Sequence, residues 1–288
     1  MLASIMVLPN VLGIGAQKAG TSWLHENLKS NPGAWLPPFK ELHFFDHKFI
    51  PDHRRWTGGH VKRGLRIARE NAALAEDTDM LAYLETISEP PLLTRRWYRQ
   101  VFKPCPKSRV GIDITPEYSS LPPEGVEFVR DVLGPDLKMI YIIRDPVDRA
   151  LSQMRMYMGR RKRVPEAPED WAEFLDHPDL RDRGNYLSHI PRWESVFPQE
   201  NFLFLPYGMI ATDPIGFLRR VESFCGLPAA DYPRSEEKIY RGPTVEVPQH
   251  IRDTLADMLA DQVAFLKTRF SADFVHATSA PASRGGQG

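Results

Sequence analysis

Cysteine and net charge are both scarce in this chain of 288 residues. The two cysteines, Cys105 and Cys225, lie far apart in neither a metal-ligand nor a redox spacing. A disulfide scaffold and a cysteine-rich metal site are therefore excluded. Two free thiols in a reducing compartment are expected, with one disulfide as the alternative. Lys and Arg number 37 and Asp and Glu 37, for a net charge of +0. General attraction to nucleic acid or an anionic membrane is absent from that balance, so any basic work must be local. Long apolar runs are missing too. The opening MLASIMVL is stopped by Pro9 and Asn10 and has no basic start. It is too short for a signal peptide or a membrane span. It reads as the lead-in to a first strand, and the expectation is a cytoplasmic protein with no transmembrane segment.

What is present suits a globular fold. Hydrophobic residues make up 42% and charged residues 26% of the sequence, in the range of an ordinary soluble domain with a sizeable core. Short apolar runs rich in β-branched residues, bounded by breakers, predict strands at 11–15, 109–115, 138–144 and 201–207. Helical patterns fill Thr21–Ser30, Leu92–Phe102, Gly125–Leu133, Pro146–Arg160, Tyr186–Phe197, Pro214–Cys225 and Pro248–Phe270. Such alternation predicts a single α/β domain over 1–275, a central parallel sheet flanked by helices. Residues 47–90 carry no strand signal and read as inserted helices and loops. The small, polar tail 276–288 is expected to be disordered.

The first chemical signal is VLGIGAQKAGTSWLHENL, Val11–Leu28. Gly15 and Gly20 have the spacing of an ATP- or GTP-binding loop, and Ser22 holds its hydroxyl position. Yet Thr21 stands where the lysine belongs, and Lys18 sits inside the loop. A strand–loop–helix of this kind aims backbone N–H groups and a helix N-terminus at one point, a ready anion site. A plain βα turn is the alternative. No clear metal-binding aspartate ends a strand, Asp113 lying within one, so the site suits an anionic group that needs no metal. The second signal is IYIIRDPVDRALSQM. Arg144 ends a strand, Pro146 starts a helix, and Ser152 lies on that helix. A strand-terminal arginine near a hydroxyl makes a second phosphate site, with a structural salt bridge as the alternative. The third is KELHFFD, Lys40–Asp46. Here Phe44 and Phe45 could desolvate Glu41 and raise its pKa towards that of a base, with an exposed Glu41 beside a buried Phe pair as the alternative, favoured when this motif is taken by itself.

Together these motifs resemble the sulfotransferases that use 3′-phosphoadenosine 5′-phosphosulfate (PAPS), and within them the heparan sulfate branch. The likeness continues through RGNYLSHIPRWESVFPQENFLFLPYG and on to Pro228. Carried over, it implies an α/β fold with a P-loop-like phosphosulfate site made by Gly15, Gln17, Lys18, Ala19, Gly20, Thr21, Ser22 and Trp23. Lys18 would neutralise the leaving oxygen, while Arg144 and Ser152 hold the 3′-phosphate. Arg241 and Gly242, in YRGP, match a late loop that closes over the same phosphate. Glu41 matches the general base, and His43 and Asp46 match acceptor-side residues, His43 also being the alternative base. PAPS is then the donor, no metal is required, and the acceptor is a small molecule or glycan. A phosphate-loop kinase or nucleotide-binding module that uses Mg²⁺ is the alternative reading. Basic residues in 52–70 and 155–163 are candidates for the rim of an acidic acceptor, solvated helix faces being the alternative. Trp56, Trp97 and Trp193 are candidates for sugar stacking, each with the core as its alternative. Acceptor identity and oligomeric state are not legible.

Overall fold

The computed structural model describes residues 8–165, 168–237 and 245–279. Five strands form one parallel sheet: β1 (Val11–Gly15), β2 (Ala34–Trp35), β3 (Val110–Ile114), β4 (Lys138–Ile143) and β5 (Phe202–Pro206). Their order across the sheet is β2-β3-β1-β4-β5. Residues 11–15 and 139–143 are buried throughout, because helices cover both faces of a parallel sheet and leave no solvent side. That is why continuous apolar runs marked these strands. β2 escaped detection, since two residues carry no period.

Topology fixes where a ligand can sit. After β1 the chain turns through α1 (Thr21–Leu28) to one edge, whereas after β4 it turns through α7 (Pro146–Arg161) toward the other. β1 and β4 are neighbours, so their carboxyl ends flank the crevice that such a switch point opens. The Gly15 loop follows one end, and Arg144 the other.

Residues 47–90 are helical, as expected: α2 (Phe44–Phe49) runs into them, followed by α3 (Arg54–Leu74) and α4 (Thr78–Ser88). Several sequence boundaries shift. The helix expected from Leu92 starts as α5 (Arg95–Phe102), because the Thr94 hydroxyl caps it by accepting from the Trp97 N–H at 3.1 Å. Further on come α6 (Pro123–Leu133), α8 (Pro168–Leu175), α9 (Asp179–Asp182), α10 (Tyr186–Glu194), α11 (Met209–Thr212) and α12 (Pro214–Cys225). The single helix expected over Pro248–Phe270 is two, α13 (Gln249–Met258) and α14 (Ala260–Arg269), broken at Leu259. Of the expected tail 276–288, residues 276–279 are described and the rest lie outside the described residues. α15 (Ala272–His276) precedes Ala277 and Thr278, whose carbonyls accept from the N–H groups of Gly208 (2.8 Å) and Asp145 (3.1 Å). Backbone hydrogen bonds thus tie 277–278 down near the ends of β4 and β5.

Both cysteines are free and buried. Burial pushes both thiols up, Cys225 to about 12. No helix of the described residues is long and apolar enough to cross a membrane.

Candidate active site

The Gly15–Ser22 loop, the candidate donor loop, is built from backbone. Gly15 ends β1 where a side chain has no room: a Cβ there would lie 2.6 Å from Cε2 of Tyr141. Lys18 and Gly20 both have positive φ, 70° and 88°, which curls the loop ahead of α1, and the Ala19 N–H between them donates to the Ala16 carbonyl at 3.1 Å. Gly20 is required twice over, since a Cβ would also meet Ile210 Cδ1 at 2.3 Å. Ala19 and Thr21 are buried and Ser22 is exposed. Trp23 turns the other way: its indole is buried against Phe217 and donates to the Ser235 carbonyl at 2.9 Å. Its side chain serves the core. Burial, followed by the charges of Arg144 and Arg160, lowers the Lys18 ammonium to about 8. A lysine held this way gains most from an anion.

Arg144 sits directly across. Its guanidinium donates to the Lys18 carbonyl at 2.8 Å and lies 4.3 Å from the Tyr207 ring centroid, while Nε is buried and unpartnered. Instead of the alternative structural salt bridge, Arg144 ties its own loop to the donor loop. Ser152 is half-buried on α7. Arg241 and Gly242 lie outside the described residues.

Side chains hold the segment 41–46, the candidate acceptor side. Asp113 on β3 accepts from the hydroxyls of Thr115 (2.8 Å), Tyr98 (2.9 Å) and Tyr118 (2.9 Å). Two of those hydroxyls in turn accept backbone N–H groups of the segment, Leu42 to Thr115 at 3.0 Å and Phe44 to Tyr118 at 3.2 Å. Asp113 is thereby engaged as a clamp for residues 42–44. Glu41 and His43 both have positive φ, 69° and 53°, so the segment is not extended. The two side chains are nevertheless neighbours, His43 Nε2 lying 3.8 Å from Glu41 Oε2.

The electrostatics differ from the sequence expectation. Phe44 and Phe45 pack into the core against Tyr98 and Tyr118 and do not raise Glu41. Burial disfavours its charge, but the Lys40 ammonium, bonded to Oε1, outweighs this together with His43 and His60, and the pKa falls well below the usual carboxylate range. Burial likewise opposes protonation of His43, yet Asp46, Glu117 and Glu41 push it up to about 9. Asp46, expected on the acceptor side, is fully buried. It accepts from Nδ1 of both His43 and His53 at 2.9 Å, so its carboxylate is spent on these imidazoles.

Residues that the motifs did not assign join the two halves. Gln17 donates to Glu117 at 2.9 Å, and Glu117 pairs with Arg183 at 3.1 Å. Arg183 reaches His53 Nε2 at 3.2 Å, and His53 reaches Asp46. A continuous polar line thus runs from the donor loop to His43. Its signals were faint: Arg183 stood inside RGNY without a role, and Glu117 just past a strand end. Of the tryptophans, Trp97 and Trp193 are core, but Trp56 is 38% exposed with its ring 4.7 Å from His43. The basic clusters are partly neutralised, by Arg66–Glu70, Arg161–Glu173 and Arg163–Asp170 pairs.

The family model for the sulfotransferase domain matches residues 8–242, a stretch that holds both halves of this site. The chain belongs to the sulfotransferase family. Among curated relatives it is 28% identical over 229 residues to human heparan sulfate glucosamine 3-O-sulfotransferase 6, covering 76% of this chain and 52% of that one. To mouse heparan sulfate glucosamine 3-O-sulfotransferase 3B1 it is 24% identical over 234 residues, covering 76% and 46%. The chain spans about half the length of these relatives. A sulfotransferase from Alicyclobacillus acidocaldarius has the same fold, with a TM-score of 0.65 at 22% identity over 91% of this chain and 96% of that one.

Proposed function

We propose that this sulfotransferase-family chain transfers the sulfuryl group of PAPS to a hydroxyl of a carbohydrate or glycoconjugate, with Glu41 taking the acceptor's proton. One observation carries the reading: side-chain contacts through Gln17, Glu117, Arg183, His53, Asp46 and His43 join the lysine-bearing anion loop to the Glu41 carboxylate in one site. The acceptor oxygen attacks sulfur, forming the new S–O bond as the bond to the bridging phosphate oxygen breaks and leaves its electron pair there. Lys18 and the loop N–H groups stabilise that oxygen, which is positioning plus electrostatics. The proton passes to Glu41 Oε2.

The two protonation states support Glu41 over His43. His43 already holds its proton at neutral pH, whereas Glu41 does not. A carboxylate so weakly basic is still adequate, because the attacking hydroxyl becomes strongly acidic as its bond to sulfur forms. Carbohydrate is favoured by the relatives' acceptor and by Trp56, an exposed ring on which a sugar face can stack beside the base. Calorimetry tests the donor. Adenosine 3′,5′-bisphosphate should bind more tightly than AMP by about 2–3 kcal/mol, the worth of charged contacts to a second phosphate. Equal affinities refute PAPS as the donor. A labelled-PAPS screen across glycan, lipid, peptide and small-molecule acceptors, read by mass spectrometry, tests the acceptor.

A further inference from the structure

Beside the carboxylate that this reading uses as a base stands an arrangement that the reaction does not need. Glu41 Oε2 lies 3.8 Å from His43 Nε2 and 3.9 Å from His60 Nε2, and one ligand atom from each of the three lies within 4.8 Å of the others. His43 is fully buried and its Nε2 has no hydrogen-bond partner, although it is aimed at this point. Its other nitrogen donates to the buried Asp46 carboxylate at 2.9 Å, the outer contact that fixes a metal-binding imidazole in its tautomer and strengthens it as a ligand. Glu41 and His60 are both part-exposed, which leaves an entry path.

We infer that Glu41, His43 and His60 form an inhibitory site for a zinc-class divalent cation. Two imidazoles and one carboxylate, with a fourth position open to water, are a donor set that zinc accepts. Tetrahedral bonds of about 2.0–2.1 Å place ligand atoms roughly 3.4 Å apart, so the three, now within 4.8 Å of one another, must draw together to close on an ion. Oxygen-seeking magnesium is disfavoured by the two nitrogens. Occupancy engages Glu41 Oε2, so the lone pair that receives the acceptor's proton is withdrawn. The site rests on the proposed role of Glu41 only for its inhibitory consequence; binding is independent of it.

The experiment titrates metal-free protein with Co²⁺ and reads the strong visible absorption of a four-coordinate ion, then displaces it with Zn²⁺. Wild type should develop the band and lose it to zinc. His60→Ala and His60→Gln should weaken cobalt binding at least tenfold while keeping metal-free sulfuryl transfer, which zinc then no longer inhibits at the level that stops wild type. Melting curves establish that each variant is folded. No band in wild type, or an unchanged band in both folded His60 variants, overturns the site. If no band forms but Glu41→Gln abolishes metal-free transfer, the metal site falls and the proposed function stands. If the band forms and depends on His60 but zinc leaves transfer untouched, the inhibitory role is wrong.

Discussion

The two halves of the site are made from different materials. On the donor side, backbone does the work: a strand end, two positive-φ residues and a helix N-terminus converge within residues 15–22. On the acceptor side, the segment 41–46 is held by partners far along the chain, Thr115 and Tyr118 at its N–H groups and His53 at Asp46. A backbone site is specified locally and tolerates change elsewhere. A side-chain site depends on many distant residues and can be lost from any of them. The halves meet in one line of contacts through Gln17, Glu117, Arg183 and His53.

The largest effect should come from separating binding from chemistry. Glu41→Gln keeps size and polarity but removes the proton acceptor, and should cut turnover by about 10²–10⁴. Calorimetric affinity for adenosine 3′,5′-bisphosphate should stay within about twofold, since Glu41 belongs to the other half. If Glu41→Gln stays active and His43→Ala is dead, the base is His43.

Lys18→Ala tests the donor half in the same way. Charge grows on the bridging oxygen only as the S–O bond breaks, so turnover should fall by roughly 10²–10³, the worth of one transition-state donor. Arg144→Ala should chiefly weaken nucleotide affinity, because the 3′-phosphate does not react. A Lys18 variant altered only in its Michaelis constant for PAPS removes Lys18 as the leaving-group stabiliser.

That contrast also explains what could be read without coordinates. Gly15, Lys18, Gly20 and Thr21 were legible because a phosphate loop is a local pattern, and β1, β3, β4 and β5 because buried parallel strands are plain apolar runs. Glu41 and His43 were found by position within a motif, but their environment was misjudged. Adjacent phenylalanines suggested a raised carboxyl; in the fold those rings face the core and Lys40 faces the carboxylate. No local pattern ties Glu117 or Arg183 to residues 17 and 53. Their pairings span 100 and 130 positions and exist only once the sheet has formed.

A smaller effect should show how far the acceptor half depends on its clamp. Asp113→Asn keeps the shape of the side chain but replaces one acceptor oxygen with a donor among three hydroxyl groups. Thermal unfolding should report a loss of about 1–3 kcal/mol, and turnover should fall while bisphosphate affinity holds. Burial already raises the Asp113 carboxyl to about 6, against the pull of its hydroxyl partners. Asp113→Asn with unchanged stability and turnover means that the segment 42–44 is held without this clamp.

The smallest effect, and the one that puts both halves on a single axis, is the alkaline limb of activity. The buried Lys18 ammonium titrates near 8 in the donor-free protein, and its charged form is the one that stabilises the departing phosphate. Second-order turnover on PAPS should therefore be level below that pH and fall by up to tenfold per unit above it, since kcat/KM follows groups of the free enzyme. Bound donor places negative charge beside Lys18 and raises its pKa, so the same limb in kcat should lie at higher pH. Stability should move in the opposite sense. The folded pKa lies below the unfolded value of 10.5, so between the two the unfolded chain binds more protons and this group makes folding more favourable as pH rises. Subtracting the melting profile of Lys18→Met isolates that contribution from the other groups. An alkaline limb that persists unchanged in Lys18→Met assigns the titration to another residue, and the acceptor half is then the place to look.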